Sequence, residues 1–346
     1  MRSNYHVRIR NPLPSLIPTA RLADVAQRAG VTKSTASRIL NGAPMAVRPQ
    51  TRARVLEAAR ELDYRPHPAA RALNRSSTGA VALVVPDLGN VVFSRIVRGA
   101  VRGAAEAELS VLVLEDTDDG GDLAALIGSG RIDGVIMLAS RRGHPLVPML
   151  LSGDTPCVFA HRGVPDSGRN VVVDDAHASE LAVEHLHGLG HRRIGHVGGP
   201  RGIYTAERRA AGFRASAAAL DLERAPVVTA PFTEQGGYDA TRRLFARQPK
   251  LTALFTASLP QALGARAALA ELDLDVPDRV SIVCYDDAPY AAFLQPPLTA
   301  VRVPMEEVGA VALEALREQL AGGAPRDHVI ATPPEIVVRQ STAEAP

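Results

Sequence analysis

Only two cysteines occur in 346 residues, Cys157 and Cys284, each inside an apolar run (PCVFA and VSIVCY). Two thiols so placed make neither a disulfide framework nor a metal pair, and a reducing cytoplasm is the expected setting. No apolar run approaches the ~20 residues that a membrane-spanning helix needs, so no membrane partner is expected. The opening MRSNYHVRIRNPLPSLIP carries three arginines but no continuous apolar stretch and no small-residue cleavage site, unlike a secretory signal. Enzyme signatures are also missing: no GxGxxG follows the first strand-like run, and GxxxxGK[ST], GxSxG and HExxH do not occur. Asp116, Asp118, Asp119 and Asp122 lack EF-hand spacing and read as a solvated loop. No catalytic residue, no cofactor and no metal ion is therefore expected.

Charge, in contrast, is unevenly distributed. Residues 1–75 carry a net charge of +10, and the rest of the chain carries −8. A polyanion attracts the first segment and repels the second, which points to nucleic acid. Inside the basic segment lies LADVAQRAGVTKSTASRIL, with the spacing of a helix-turn-helix. Leu22, Val25, Ala26 and Ala29 form one apolar stripe, Gly30 allows the turn, and Thr32 is placed to cap a second helix. That helix directs Ala36, Ile39 and Leu40 inward and Lys33, Ser34, Ser37 and Arg38 outward. A third helix begins near Pro49, with Val55, Ala59 and Leu62 on one face.

From Ala80 onward, runs such as AVALVV, VLVLED, DGVIML, PCVFA, NVVVD, RIGHVG, TALFTA and SIVCY alternate with helical stretches. Near-continuous apolar strands of this kind are buried on both faces in parallel sheets covered by helices. About ten strands exceed one core, so two such subdomains are expected, with a ligand crevice at the carboxyl ends of their strands.

The ordered motifs DVAQRAGVTKSTASRILNG, TRARVLEAARELDYRPHPAARAL, TGAVALVVPDLGNVVFSRIVRG, IDGVIML, EHLHGLGHRRIGHVGGP, RRAAGF and VSIVCYDD resemble the LacI/GalR family of bacterial transcription regulators. The resemblance implies a small all-α helix-turn-helix headpiece plus an α/β core of two doubly wound parallel-sheet subdomains, like periplasmic sugar-binding proteins. It also implies a homodimer on double-stranded, pseudo-palindromic operator DNA with a central CG step, controlled by a small-molecule effector such as a sugar. The absence of leucine heptads near the C-terminus favours a dimer over a tetramer. Expected boundaries are a flexible basic tail at 1–19, the headpiece at 20–65, a hinge linker at 66–79 and the core at 80–346. Within the core, subdomain 1 is expected at about 80–160 and 290–302, and subdomain 2 at about 161–289 and 303–340.

Carried over from the family, the DNA contacts fall on Thr32, Lys33, Ser34, Ser37, Arg38 and Asn41, with Arg38 suited to a bidentate guanine contact. Ala70 and Leu73 match the hinge pair in which a leucine wedges into the minor groove. The effector cleft maps to Phe93, His161, Arg162, Arg209, Phe232, Ser258 and Asp286, where Arg209 and Asp286 suit a ligand rich in hydroxyls. Three departures bear on that cleft. Ser258-Leu259 replaces a usual Asn-Asp, His161 stands where an aspartate is common and adds a candidate cation, and the helix after the acidic run is short. Arg21 and Arg48 occupy positions where helix caps are usual. The alternatives are a DNA-binding regulator that needs no effector and, from another class, a solute-binding transport protein, against which the headpiece argues.

Overall fold

The structure, a computed structural model, describes residues 20–40, 47–64, 77–116 and 121–346. The chain divides into two compact units, Met1–Thr78 and Gly79–Pro346. In the first unit, helices α1 (Leu22–Ala29), α2 (Lys33–Leu40) and α3 (Pro49–Glu61) close on a core of Val25, Ala26, Ala29, Ala36, Ile39, Val55 and Ala58. Small side chains at Ala26 and Ala36 leave room for this packing. Gly30 sits at φ +65°, a left-handed position that ends α1, and the Val31 amide then donates to the Ala26 carbonyl at 3.0 Å. Arg21 is better supported than its residue type suggests, because Asp24 reaches back to accept from its amide at 2.7 Å. Arg48 provides no side-chain cap, but Pro49 follows it and has no amide hydrogen to satisfy.

The second unit holds two six-stranded sheets. The first comprises β1 (Ala80–Val85), β2 (Ser110–Glu115), β3 (Gly134–Met137), β4 (Cys157–Ala160), β5 (Asn170–Val172) and β11 (His328–Val329), ordered β11-β5-β4-β3-β1-β2 and parallel throughout. The second comprises β6 (Ile194–Gly198), β7 (Val227–Thr229), β8 (Ala253–Thr256), β9 (Ser281–Tyr285), β10 (Thr299–Arg302) and β12 (Glu335–Val337), ordered β12-β10-β9-β8-β6-β7. Only β12 runs antiparallel to its neighbour. Strands β3, β4, β6, β8 and β9 are buried along their whole length, as their unbroken apolar sequences require. The run at β2 is different: it is an edge strand, and Leu112 and Val113 face outward.

The chain passes between the sheets at points the sequence did not reveal. β5 pairs with β4, so the first sheet extends to residue 172 rather than ending near 160. β10 pairs with β9, which places 299–302 in the second sheet, and the helix Met305–Leu320 then packs against Val91–Glu106 in the first. The expected assignments of 161–172, 290–302 and 303–329 are thereby reversed. Two glycines account for the last step. A Cβ on Gly309 would lie 1.9 Å from the Ile96 carbonyl oxygen, and one on Gly99 would lie 1.9 Å from that of Glu306. The helices touch backbone to backbone, which only hydrogen at these positions permits. Gly309→Ala should therefore destabilise the core by ~1–3 kcal/mol in denaturant unfolding, the usual range for overpacking; an unchanged midpoint would show that this crossing has slack.

Candidate ligand cleft and DNA-reading helix

On the headpiece, Thr32, Lys33, Ser34 and Arg38 are exposed and Ser37 is half-buried. The Thr32 hydroxyl accepts from the Thr35 amide at 3.2 Å and meets the Thr35 hydroxyl at 2.8 Å, so it caps α2. Lys33 is exposed at the start of the helix, and Ser34 and Arg38 lie one turn apart on one exposed face. Asn41, Ala70 and Leu73 lie outside the described residues.

In the core, the carboxyl ends of both parallel sheets supply the second site. Phe93 follows β1, His161 and Arg162 follow β4, Phe232 follows β7, Ser258 follows β8 and Asp286 follows β9. Ligand crevices form at such ends, where strand order reverses. Arg209 joins them from the helix Tyr204–Ala219. His161 and Asp286 both take left-handed backbone, at φ 62° and 78°, an uncommon conformation for residues with side chains and one that clusters at functional sites.

Arg209 is almost fully buried. Its Nε donates to Asp175 Oδ1 at 2.8 Å, its Nη1 donates to the Ala257 carbonyl at 2.6 Å, and its guanidinium carbon lies 3.4 Å from the Tyr285 ring centroid. Tyr285 in turn donates to the same Asp175 oxygen at 2.7 Å. Burial works against the Arg209 charge, but Tyr285, Asp175 and Asp286 more than offset it and raise its pKa. Phe93 packs edge-on against His161 at 5.9 Å, with Arg162 5.7 Å above its ring, and Phe232 lies 5.9 Å from the Arg209 guanidinium. Five buried polar atoms of this group have no partner: Arg209 Nη2, Arg162 Nε, His161 Nδ1, Asp286 Oδ1 and Asp175 Oδ2. Such atoms are costly unless something satisfies them, and together they offer both donors and an acceptor.

Electrostatics revises two sequence expectations. His161 does not add a cation: burial, with Arg209 and Arg162 nearby, lowers its pKa well below 6.5, so the imidazole is neutral at pH 7. Arg162 is lowered to about 10 by burial and by Arg209 and Arg141, and keeps its charge. Arg209 is ion-paired with Asp175, which occupies part of its donor fork. Burial raises the Asp286 carboxyl to about 6, against the pull of Arg209. Ser258 turns toward its own helix, accepting from the Gln261 amide at 3.4 Å. Asp116 is no solvated loop residue either: its carboxylate is buried against His144 Nε2 at 3.0 Å and Arg141 Nη1 at 3.2 Å. Sequence reasoning missed Asp175 and Tyr285. For Asp175 the available signal was the paired aspartates of VVVDD at a strand-to-helix junction; Tyr285 gave none, being one more apolar residue of VSIVCY.

Comparison with known proteins agrees with this architecture. Residues 21–67 match the family described as bacterial regulatory proteins, lacI family, and residues 183–342 match a periplasmic binding protein-like domain. The HTH-type transcriptional regulator MalR of Streptomyces coelicolor is 35% identical over 346 residues, which cover 95% of this chain and 98% of that protein. A solved complex of the transcriptional regulator CelR with cellobiose is 30% identical, covers 93% of this chain and 99% of its own, and superposes with a TM-score of 0.72. The lac repressor dimer bound to operator and the anti-inducer ONPF is 26% identical, covers 94% and 99%, and reaches a TM-score of 0.81.

Two measurements test the electrostatic reading. Arg209→Ala strands a buried carboxylate and should cost about 3–5 kcal/mol in urea unfolding, whereas Asp286→Asn should be tolerated. The native Asp286 pKa of about 6 lies above its ordinary 3.8, so the folded state holds the extra proton between those values. Relative to Asp286→Asn, the wild type should gain stability as pH falls through 6 toward 4. A pH-independent difference would mean that Asp286 is not buried as described.

Proposed function

The chain belongs to the LacI family of bacterial regulatory proteins, DNA-binding transcriptional regulators rather than enzymes, and on that footing we propose that it is a cytoplasmic, effector-controlled repressor acting as a homodimer on pseudo-palindromic operator DNA. One observation carries the effector: the buried polar atoms Arg209 Nη2, Arg162 Nε, His161 Nδ1 and Asp286 Oδ1 lack partners and belong to residues that follow strands of both sheets. An uncharged, hydroxylated ligand satisfies them, accepting from Arg209 and Arg162 and donating to Asp286 and to the free His161 nitrogen. Phe93 and Phe232 supply apolar faces for a ring. A sugar fits this chemistry, and the CelR relative was solved with one. With Ser258 serving as a helix cap, the second subdomain offers fewer ligand contacts than a cleft with Asn-Asp there.

Lys33, Ser34 and Arg38 read the major groove, with Thr32, Ser37 and Asn41 on phosphates and Ala70 and Leu73 at the minor groove. Dimerisation is supported by apolar surface that a monomer leaves in water: Leu112 and Val113 on the edge strand β2, Leu88, and Phe293 at 87% exposure. Ligand that binds the closed cleft more tightly than the open one shifts that equilibrium, and with it the geometry that holds two headpieces on one operator. Among the described residues no helix is long and apolar enough to cross a membrane.

The deciding experiment is a thermal-unfolding screen against sugars, sugar phosphates, nucleosides and small carboxylates, followed by operator titration with and without any hit. A ligand at ~100 times its Kd should add about 2.7 kcal/mol of stability, and Asp286→Asn should lose the shift. A hit that leaves operator affinity unchanged would refute the coupling. No shift across the panel would favour the regulator that needs no effector. In the same assay, Arg38→Ala should cost about 1–3 kcal/mol and relax preference at a single base pair.

A further inference from the structure

Beside the polar cleft, the same two subdomains enclose a cavity of ≈ 330 Å³ whose chemistry is of the opposite kind. Pro145, Val147, Pro148, Val164, Pro165 and Tyr204 give it apolar walls. Charged groups at its edge are already paired within the protein. Arg142 Nη2 meets Glu207 Oε1 at 3.2 Å, and Arg141 and His144 both meet Asp116. The cavity thus has no free charge to offer an anion, whereas the cleft has unpartnered donors and an acceptor.

Three chain segments run directly from the cleft into this cavity. Ser140 holds the Arg162 carbonyl through its hydroxyl, and residues 141–148 continue along the cavity wall. Arg162 lines the cleft, and Gly163, Val164 and Pro165 follow it into the cavity. On the helix Tyr204–Ala219, Thr205 and Arg209 stand one turn apart on one face, while Tyr204 and Glu207 face the cavity. Thr205 is buried, and its hydroxyl oxygen has no partner, so an unsatisfied polar atom marks the junction. Across the cavity the Arg142 amide donates to the Gly202 carbonyl at 2.8 Å, so the space is bounded by contacts between the subdomains.

We propose that this cavity takes an apolar or aromatic group carried by the effector, which is then a polar, hydroxylated head joined to an apolar ring rather than a bare polyol. The proposal rests on the cleft reading for the head; the cavity's own chemistry supplies the ring. Its volume lies at the lower end of small-molecule pockets and suits a single ring with a short substituent. Because both subdomains line it, an occupant adds apolar burial that exists only while they are closed.

The probe is 4-nitrophenol, titrated calorimetrically into the full-length protein, with its position read in a co-crystal. Saturable one-site binding is expected. Val147→Glu, which puts a charge on the wall, and Pro148→Trp, which fills the space from an exposed position, should each weaken it at least ~10-fold, the factor given by about 1.4 kcal/mol of lost apolar burial. A control on the exposed surface away from both sites, Lys250→Ala, should leave it unchanged. Absence of saturable binding, or equal binding to both cavity variants, would overturn the proposal, as would a ring found in the polar cleft. The reading of the head fails independently, if no hydroxylated ligand gives a thermal shift that depends on Asp286, whatever the aryl probe does.

Discussion

The buried group of Arg209, Asp175 and Tyr285 is the constraint on which the rest of the core depends. Asp175 opens the helix Asp175–Gly188 immediately after the chain leaves the first sheet, Arg209 comes from the next helix, and Tyr285 ends a strand of the second sheet. Removing a charged pair from water is costly, and the arrangement offsets that cost by holding both ions twice: Asp175 Oδ1 by a guanidinium and a phenol, Arg209 by a carboxylate and the Ala257 carbonyl, with an aromatic face beneath it. The network fixes which donors remain for a ligand. With Nε and Nη1 used internally, only Nη2 is free, so the protein offers one aimed donor instead of a fork.

The same frame explains the mixture of charges around the cleft. Burial, and then the mutual repulsion of nearby cations, lowers the pKa values of both Arg162 and His161. Asp286 keeps its carboxyl near the threshold of ionisation because burial opposes the nearby cations. Arg95 adds a mechanical term: its guanidinium reaches from the first subdomain to the Asp287 carbonyl at 3.2 Å, beside Asp286 in the second.

Much of this was legible in the sequence, and the reasons differ from element to element. The headpiece was clear because its stripe of Leu22, Val25, Ala26 and Ala29, the left-handed Gly30 and the Thr32 cap are local signals. The buried strands were clear because burial on both faces leaves an unbroken apolar run. Assigning strands to sheets was another matter. Asn170–Val172 and Thr299–Arg302 carry the same β-branched character whichever sheet they join, and pairing is a long-range property that a short run does not encode. Gly99 and Gly309 held the missing clue, since glycines on two distant helices signal close approach only once one knows they meet. At the site, single residues such as Arg209 and Asp286 were found, but their partners were not: the sequence placed Asp175 in a polar pair and Tyr285 in an apolar strand, with nothing to connect residues 110 positions apart.

The three passages between the sheets, at about 173–174, 303–304 and 330–334, have a mechanical consequence. An odd number of tethers leaves the chain's beginning on one half and its end on the other. Residues 1–78 therefore continue by covalent bond into the first half, which the chain enters at β1. Because all three passages join the same two sheets, any displacement of one half against the other must flex all three together.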